Sequence, residues 1–189
     1  MKRVALFFGS FNPVHKGHLH IASAVLEKGL ADEVEFVLTP HNPFKKLANL
    51  WPEADRWKML EIALAKFPNM HPNDIELELP KPNYTATTLK RLSELYPNKE
   101  YSLLLGADSA VSLSSWTQAE YIQQFPLLIY PRAGSPTPPF SKGRILIDVE
   151  LQEISASEIR TTTDQELLHT WLPDGVHAYL AKNKWVIDI

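Results

Sequence analysis

Six short apolar runs, separated by amphipathic or turn-rich stretches, constrain this chain more than any other feature. Residues 4–8, 34–38, 75–79, 101–105, 127–130 and 145–149 carry these runs and read as strands. Several are apolar nearly throughout, the pattern of strands covered on both faces of a parallel sheet. Residues 17–28, 53–66, 85–95 and roughly 116–124 carry helical patterns between them. Leu19, Ala22, Val25 and Leu26 fall on one face of the first helix, and Met59, Leu60, Ala63 and Leu64 on one face of the second. This alternation predicts an α/β fold: a Rossmann-like open, mostly parallel sheet flanked by helices and joined by right-handed crossovers. Residues 155–185 predict two or three short C-terminal helices, and the proline-rich stretch 131–143 reads as a loop. At roughly 100–200 residues per domain, the 189 residues fit a single domain, 1–189, with no internal repeat or linker to divide it.

Composition narrows the function classes. Hydrophobic residues at 44% and charged residues at 22% are enough for a real core. With no cysteine, disulfide frameworks, thiol catalysis, zinc knuckles and iron–sulfur sites all drop out, and a reducing cytoplasm is the expected location. Nineteen basic against 22 acidic residues leave a net charge of −3, so no global field invites nucleic acid. Lys2 and Arg3 ahead of the first apolar run imitate a signal peptide, but the run falls short of the ~7–15 apolar residues of a secretory core. No window approaches the ~18 apolar residues of a membrane helix. A cytoplasmic protein with neither a nucleic-acid nor a membrane partner is expected; oligomeric state stays open, a homo-oligomer included.

The first run ends in Gly9-Ser10-Phe11-Asn12-Pro13-Val14-His15-Lys16-Gly17-His18, and a helix follows at once. Ligands of open α/β sheets bind beyond the carboxyl ends of the strands. Gly9 lets backbone approach a ligand, and the helix start offers unpaired N–H groups and a positive dipole end that suit phosphate. His15 and His18, three apart, fall side by side on the first turn, where they could donate to phosphate oxygens, more strongly if protonated. Plain surface histidines are the competing reading. A metal cluster with His20 is the other, but His20 lies about 200° round the helix from His18. No HExxH and no cysteine complete such a site, so no protein-held metal is expected. GxxxxGK[ST] and GxGxxG are absent as well. At the far end, Ile154-Ser155-Ala156-Ser157-Glu158-Ile159-Arg160 fits a capping box through Ser155 and Glu158. The functional alternative is a hydroxyl, N–H and guanidinium set for a polyphosphate, with Arg160 as a two-pronged donor.

Taken together, GSFNPVHKGH and ISASEIR resemble the paired motifs of the nucleotidylyltransferase superfamily, GxFxPxHxGH and ISxTxxR. Pro40-His41-Asn42-Pro43-Phe44-Lys45-Lys46, Asn83-Tyr84-Thr85-Ala86-Thr87-Thr88-Leu89, and Gly106-Ala107-Asp108 with Trp116 look like bacterial nicotinate-nucleotide adenylyltransferases. The resemblance runs through nearly the whole chain. It departs at Ser10 and Asn12, where Thr and Asp are more usual, and at Ala156-Ser157 in place of Ser-Thr. Ser10 and Ser157 keep a hydroxyl, whereas Asn12 loses a carboxylate.

The resemblance implies the nucleotidylyltransferase fold and adenylyl transfer from ATP to nicotinate mononucleotide, giving deamido-NAD and pyrophosphate in NAD biosynthesis. It assigns His18, His15 and Arg160 to catalysis. Gly9, Ser10, Phe11, His15, His18, Lys45, Lys46, Gly106, Asp108, Ser157 and Arg160 fall to ATP, and Tyr84, Thr85 and Trp116 to the pyridine nucleotide, with the indole stacking on the ring. Mg²⁺ is implied as the cofactor, bound mainly through the ATP phosphates. No Lys or Arg lies in 84–89 or 116–121. Preference for the nicotinate form would then fall to N–H groups near Thr85 and a helix start near Trp116. A nicotinamide-mononucleotide or dual-specificity adenylyltransferase is the alternative, with phosphopantetheine adenylyltransferase and a metal hydrolase behind it.

Overall fold

Odd and even residues of the central strands bury against different partners. Ala5, Phe7, Phe36, Leu38, Leu104, Leu128 and Tyr130 join one hydrophobic cluster, and Val4, Leu6, Val37, Leu103, Leu105, Leu127 and Ile129 join another. Side chains alternate across a strand, so a run apolar at every position must be covered on both sides. The computed structural model describes residues 1–42, 50–136, 143–150, 152, 154–183 and 185. Among these residues the sheet has six strands: β1 (Lys2–Gly9), β2 (Glu33–Leu38), β3 (Met70–Asn73), β4 (Lys99–Gly106), β5 (Leu127–Tyr130) and β6 (Arg144–Leu146). Their order is β3-β2-β1-β4-β5-β6, with every pairing parallel. That is the doubly wound Rossmann order, in which the chain reverses direction of travel between β1 and β4.

The first face is covered by α1 (Lys16–Glu27), α2 (Glu53–Leu64) and three short C-terminal helices, α7 (Ala156–Thr161), α8 (Gln165–Trp171) and α9 (Asp174–Lys182). The second face carries α3 (Ile75–Glu78), α4 (Thr85–Leu95), α5 (Ala107–Ser112) and α6 (Ala119–Ile122). Tyr179 of α9 donates to the Asp55 carboxylate of α2 at 2.5 Å, and a Cβ at Gly175 would strike Ile62, 2.4 Å away. These contacts set α9 close against α2.

Two sequence expectations fail here. Residues 75–79 are not the third strand; Ile75–Glu78 is a one-turn helix, and the strand is Met70–Asn73 just before it. The Asn73 side chain accepts the Ile75 N–H at 3.0 Å and turns the chain. Pro72 argues against a strand, yet an edge strand tolerates proline, and β3 is an edge. The helix expected over 116–124 is broken up as well. Trp116 ends a 3₁₀ turn (Leu113–Ser115), and α6 starts only at Ala119. The last strand is shorter than expected and begins at Arg144, and residues 137–142 of the proline-rich stretch lie outside the described residues.

Candidate active site

The turn after β1 is shaped by aromatic packing. Phe11 has φ 42°, in the left-handed region, and its ring is buried against Phe36 (5.4 Å between centroids), Phe7 (5.8 Å) and His18 (5.2 Å). A Cβ at Gly9 would lie 2.8 Å from that ring. Packing against the Phe11 ring therefore demands glycine at position 9.

His15 is the N-cap residue of α1, and its ring is buried, with Nδ1 lacking a hydrogen-bond partner. A Cβ at Gly17 would sit 3.0 Å from it. Burial, and secondarily the positive charge of Arg132, pushes the His15 imidazole down to about 4. It is therefore neutral at neutral pH in the free protein, so the strengthening that protonation would give its hydrogen bonds is absent there. His18 Nδ1 accepts the His15 backbone N–H at 3.2 Å. That bond leaves the His18 proton on Nε2, the tautomer able to donate outward. The two rings stack on each other, centroids 3.7 Å apart and tilted by 33°.

From the far end of the chain, Arg160 reaches back to this turn. Its guanidinium donates to the Asn12 carbonyl at 2.6 Å, to the Ala156 carbonyl at 2.9 Å and to Ser157 Oγ at 3.2 Å. Ser155 Oγ accepts the Glu158 N–H at 3.3 Å, so the capping interaction exists alongside. Asn12 Oδ1 accepts the Trp51 N–H at 3.0 Å, a bond an aspartate would make equally well.

The turn, both histidines and Arg160 border a cleft of about 540 Å³, within the range of small-molecule sites. Gly9, Ser10, Phe11, His15 and His18 line it from β1 and α1, Ser157 and Arg160 from α7, Gly106 and Asp108 from the end of β4, and Tyr84, Thr85 and Trp116 from the second face. Lys45 and Lys46 lie outside the described residues. Trp116 Nε1 donates to Ser112 Oγ at 3.4 Å, and the indole packs partly buried against the second cluster. Because α6 starts three residues later and spans one turn, it presents no helix start at Trp116; Thr85, first residue of α4, keeps that place.

Among the described residues, five buried side-chain polar atoms have no hydrogen-bond partner. Three of them, Ser10 Oγ, His15 Nδ1 and Glu76 Oε2, belong to residues that line this cleft. Buried polar groups are normally paired, so their concentration here marks a surface built for a polar ligand. Four cleft or near-cleft residues were missing from the sequence expectations. Tyr130, the last residue of β5, and Arg132 just beyond it line the cleft, where Arg132 Nε lies 3.8 Å from Asp108 Oδ2. Glu76, whose Oε1 accepts the Thr88 hydroxyl at 2.6 Å, is held above the usual carboxylate range by burial. Arg56 is buried beneath the turn. One signal does point to it: it precedes Met59 and Leu60 by three and four residues, on the apolar face of α2.

A cytidylyltransferase-like family model matches residues 6–162. A probable nicotinate-nucleotide adenylyltransferase of Cytophaga hutchinsonii is 41% identical over 87% of this chain and 87% of its own length. One from Bacteroides fragilis is 37% identical over 89% of this chain and 83% of its own. In structure, the chain is similar to a Plasmodium falciparum nicotinic acid mononucleotide adenylyltransferase complexed with NaAD, at a TM-score of 0.80 and 19% identity, over 97% of each chain.

Proposed function

The chain belongs to the cytidylyltransferase-like family and, within it, to the nicotinate-nucleotide adenylyltransferases, and from that premise we propose that it transfers the adenylyl group of ATP to nicotinate mononucleotide. The products are deamido-NAD and pyrophosphate. The observation that carries this reading is the meeting of both terminal motifs in one cleft, with Tyr84, Thr85 and Trp116 lining the same space.

The chemistry matches what these residues can do. The mononucleotide phosphate is an anion at neutral pH and attacks the α-phosphorus of ATP directly. The bond from that phosphorus to the bridging oxygen breaks, and pyrophosphate leaves with the electron pair. No protein base is needed, so catalysis rests on alignment and on neutralising charge as it moves to the leaving group. The His18 Nε2–H and the guanidinium of Arg160 are the donors for that charge. His15, neutral and pressed against His18, fixes the ring that donates and offers its own N–H to phosphate oxygen. In this reading Asp108 takes the ribose hydroxyls and Trp116 stacks on the pyridine. Thr85, at the start of the 11-residue helix α4, offers N–H groups for the nicotinate carboxylate.

Mg²⁺ belongs to this reading as an ion carried on the nucleotide. The side chains at the phosphate end are hydroxyl, imidazole and guanidinium, donors to phosphate oxygen rather than ligands for a hard cation, so its ligands would come from phosphate and water oxygens. Bound there, it would offset phosphate charge and act as a Lewis acid on the leaving pyrophosphate. The absence of cysteine supports a reducing, cytoplasmic setting; among the described residues no helix is long and apolar enough to cross a membrane. The test is product identification. ATP, Mg²⁺ and nicotinate mononucleotide incubated with the protein should yield deamido-NAD and pyrophosphate in equal amounts, and no dinucleotide product would overturn the reading.

A further inference from the structure

Arg56 is 1% exposed, and among the described residues its guanidinium hydrogen-bonds only to backbone. Nε donates to the Trp51 carbonyl at 2.9 Å, one terminal nitrogen to the carbonyls of Ser10 at 2.8 Å and Thr39 at 3.0 Å, and the other to that of Pro40 at 3.3 Å. Three chain segments converge on it: the turn after β1, the exit of β2 and the entry to α2. No carboxylate forms an ion pair with it among the described residues. A buried charge is a poor source of stability compared with an apolar side chain of the same volume. The position therefore calls for a role beyond filling space.

That role follows from the Ser10–Phe11 peptide. It is trans, so its N–H points opposite to its C=O. Arg56 holds the Ser10 carbonyl on the core side, and the Phe11 N–H is directed away from Arg56. Phe11 lines the cleft, and its N–H has no hydrogen-bond partner among the described residues. The φ of 42° at Phe11 is one a non-glycine residue leaves when it can, and flipping this peptide would release it.

We propose that Arg56 is a positioning residue for adenylyl transfer: by holding the Ser10 carbonyl it keeps the Ser10–Phe11 peptide turned so that the Phe11 N–H donates to a phosphate oxygen of ATP. This rests on the functional reading above. Lysine cannot replace it, because a single ammonium cannot reach four carbonyls on three segments, whereas the planar guanidinium spreads its donors over them.

Labelling phenylalanine with ¹⁵N gives eight backbone resonances to follow, one of them Phe11. Titrating wild-type protein with ATP and Mg²⁺, without the second nucleotide, should move the Phe11 resonance strongly. In Arg56→Lys that response should be lost and kcat should fall by about 10²-fold, the scale of one transition-state donor. KM for nicotinate mononucleotide should stay near the wild-type value, since its pocket lies at the other end of the cleft; a general loss of structure would raise it as well. A wild-type Phe11 resonance indifferent to ATP overturns the inference even if the variant fails to fold. So does an Arg56→Lys protein that keeps wild-type kcat and the Phe11 response. A wild-type protein that shifts Phe11 with ATP but makes no dinucleotide would instead overturn the functional reading and leave the Phe11 contact standing.

Discussion

Arg160 donates to the backbone carbonyl of Asn12 at 2.6 Å across 148 positions of sequence. The two motifs, far apart along the chain, are thus physically joined, and the guanidinium that would grip phosphate also holds the turn opposite. Arg160→Lys should lose both functions, because an ammonium cannot span Asn12, Ala156 and Ser157 together. A hydrogen bond to a charged group contributes about 1.5–3 kcal/mol, so KM for ATP should rise roughly ten- to hundredfold, with kcat reduced. Steady-state kinetics with ATP varied tests this; unchanged constants would reduce the segment to a helix cap.

His18 is fixed by its acceptor bond from the His15 N–H and by the stacked His15 ring. Its Nε2–H should act on charge that develops during transfer. His18→Ala is therefore expected to lower kcat by roughly 10²–10³ while changing ATP affinity much less. Near-normal turnover would make this histidine structural.

His15 makes stability depend on pH. Its imidazole ionises at about 4 in the folded protein because it is buried, against about 6.5 when unfolded. Between those values the unfolded chain binds more protons, so stability is full above pH ~6.5 and is lost as pH falls toward about 4, on the order of 3 kcal/mol in all. Denaturant midpoints measured at steps across that window should fall with pH, and His15→Gln should remove this part of the slope. An equal slope in the variant would show that other groups carry it.

Trp116 packs against the second cluster at the end of a 3₁₀ turn and faces the cleft. Stacking does not read charge on the pyridine. Trp116→Ala should thus raise KM for the nicotinate and nicotinamide mononucleotides alike, with KM for ATP almost unchanged. A selective loss for one of them would assign the charge discrimination to the indole's surroundings.

Most strands were legible because strands buried on both faces need apolar residues at every position, a strong local signal. β3 was hidden by Pro72 and by its short length; only its place at the sheet edge, which no local pattern reveals, makes the proline acceptable. The alternating Ile75–Leu79 stretch imitated a strand for the opposite reason: the Asn73 side chain turns the chain there, and one helical turn is too short to show a period. In the site, motif residues such as His15, His18 and Arg160 could be named from sequence. Arg56 and Glu76 could not be assigned roles, since their meaning lies in carbonyls and hydroxyls brought together from distant segments. The neutrality of His15 was likewise invisible, because it depends on burial rather than on neighbours in sequence.

Adenylyl transfer to the nicotinate nucleotide is tested most directly by pyrophosphate release from ATP and Mg²⁺ with nicotinate mononucleotide and nicotinamide mononucleotide in parallel. N–H donors near Thr85 should favour the carboxylate over the amide, and one such contact corresponds to roughly ten- to hundredfold. The expected result is turnover with both substrates or with nicotinate mononucleotide alone, and kcat/KM at least about tenfold higher for the nicotinate form. Equal kcat/KM for the two, or no pyrophosphate from either, would contradict it.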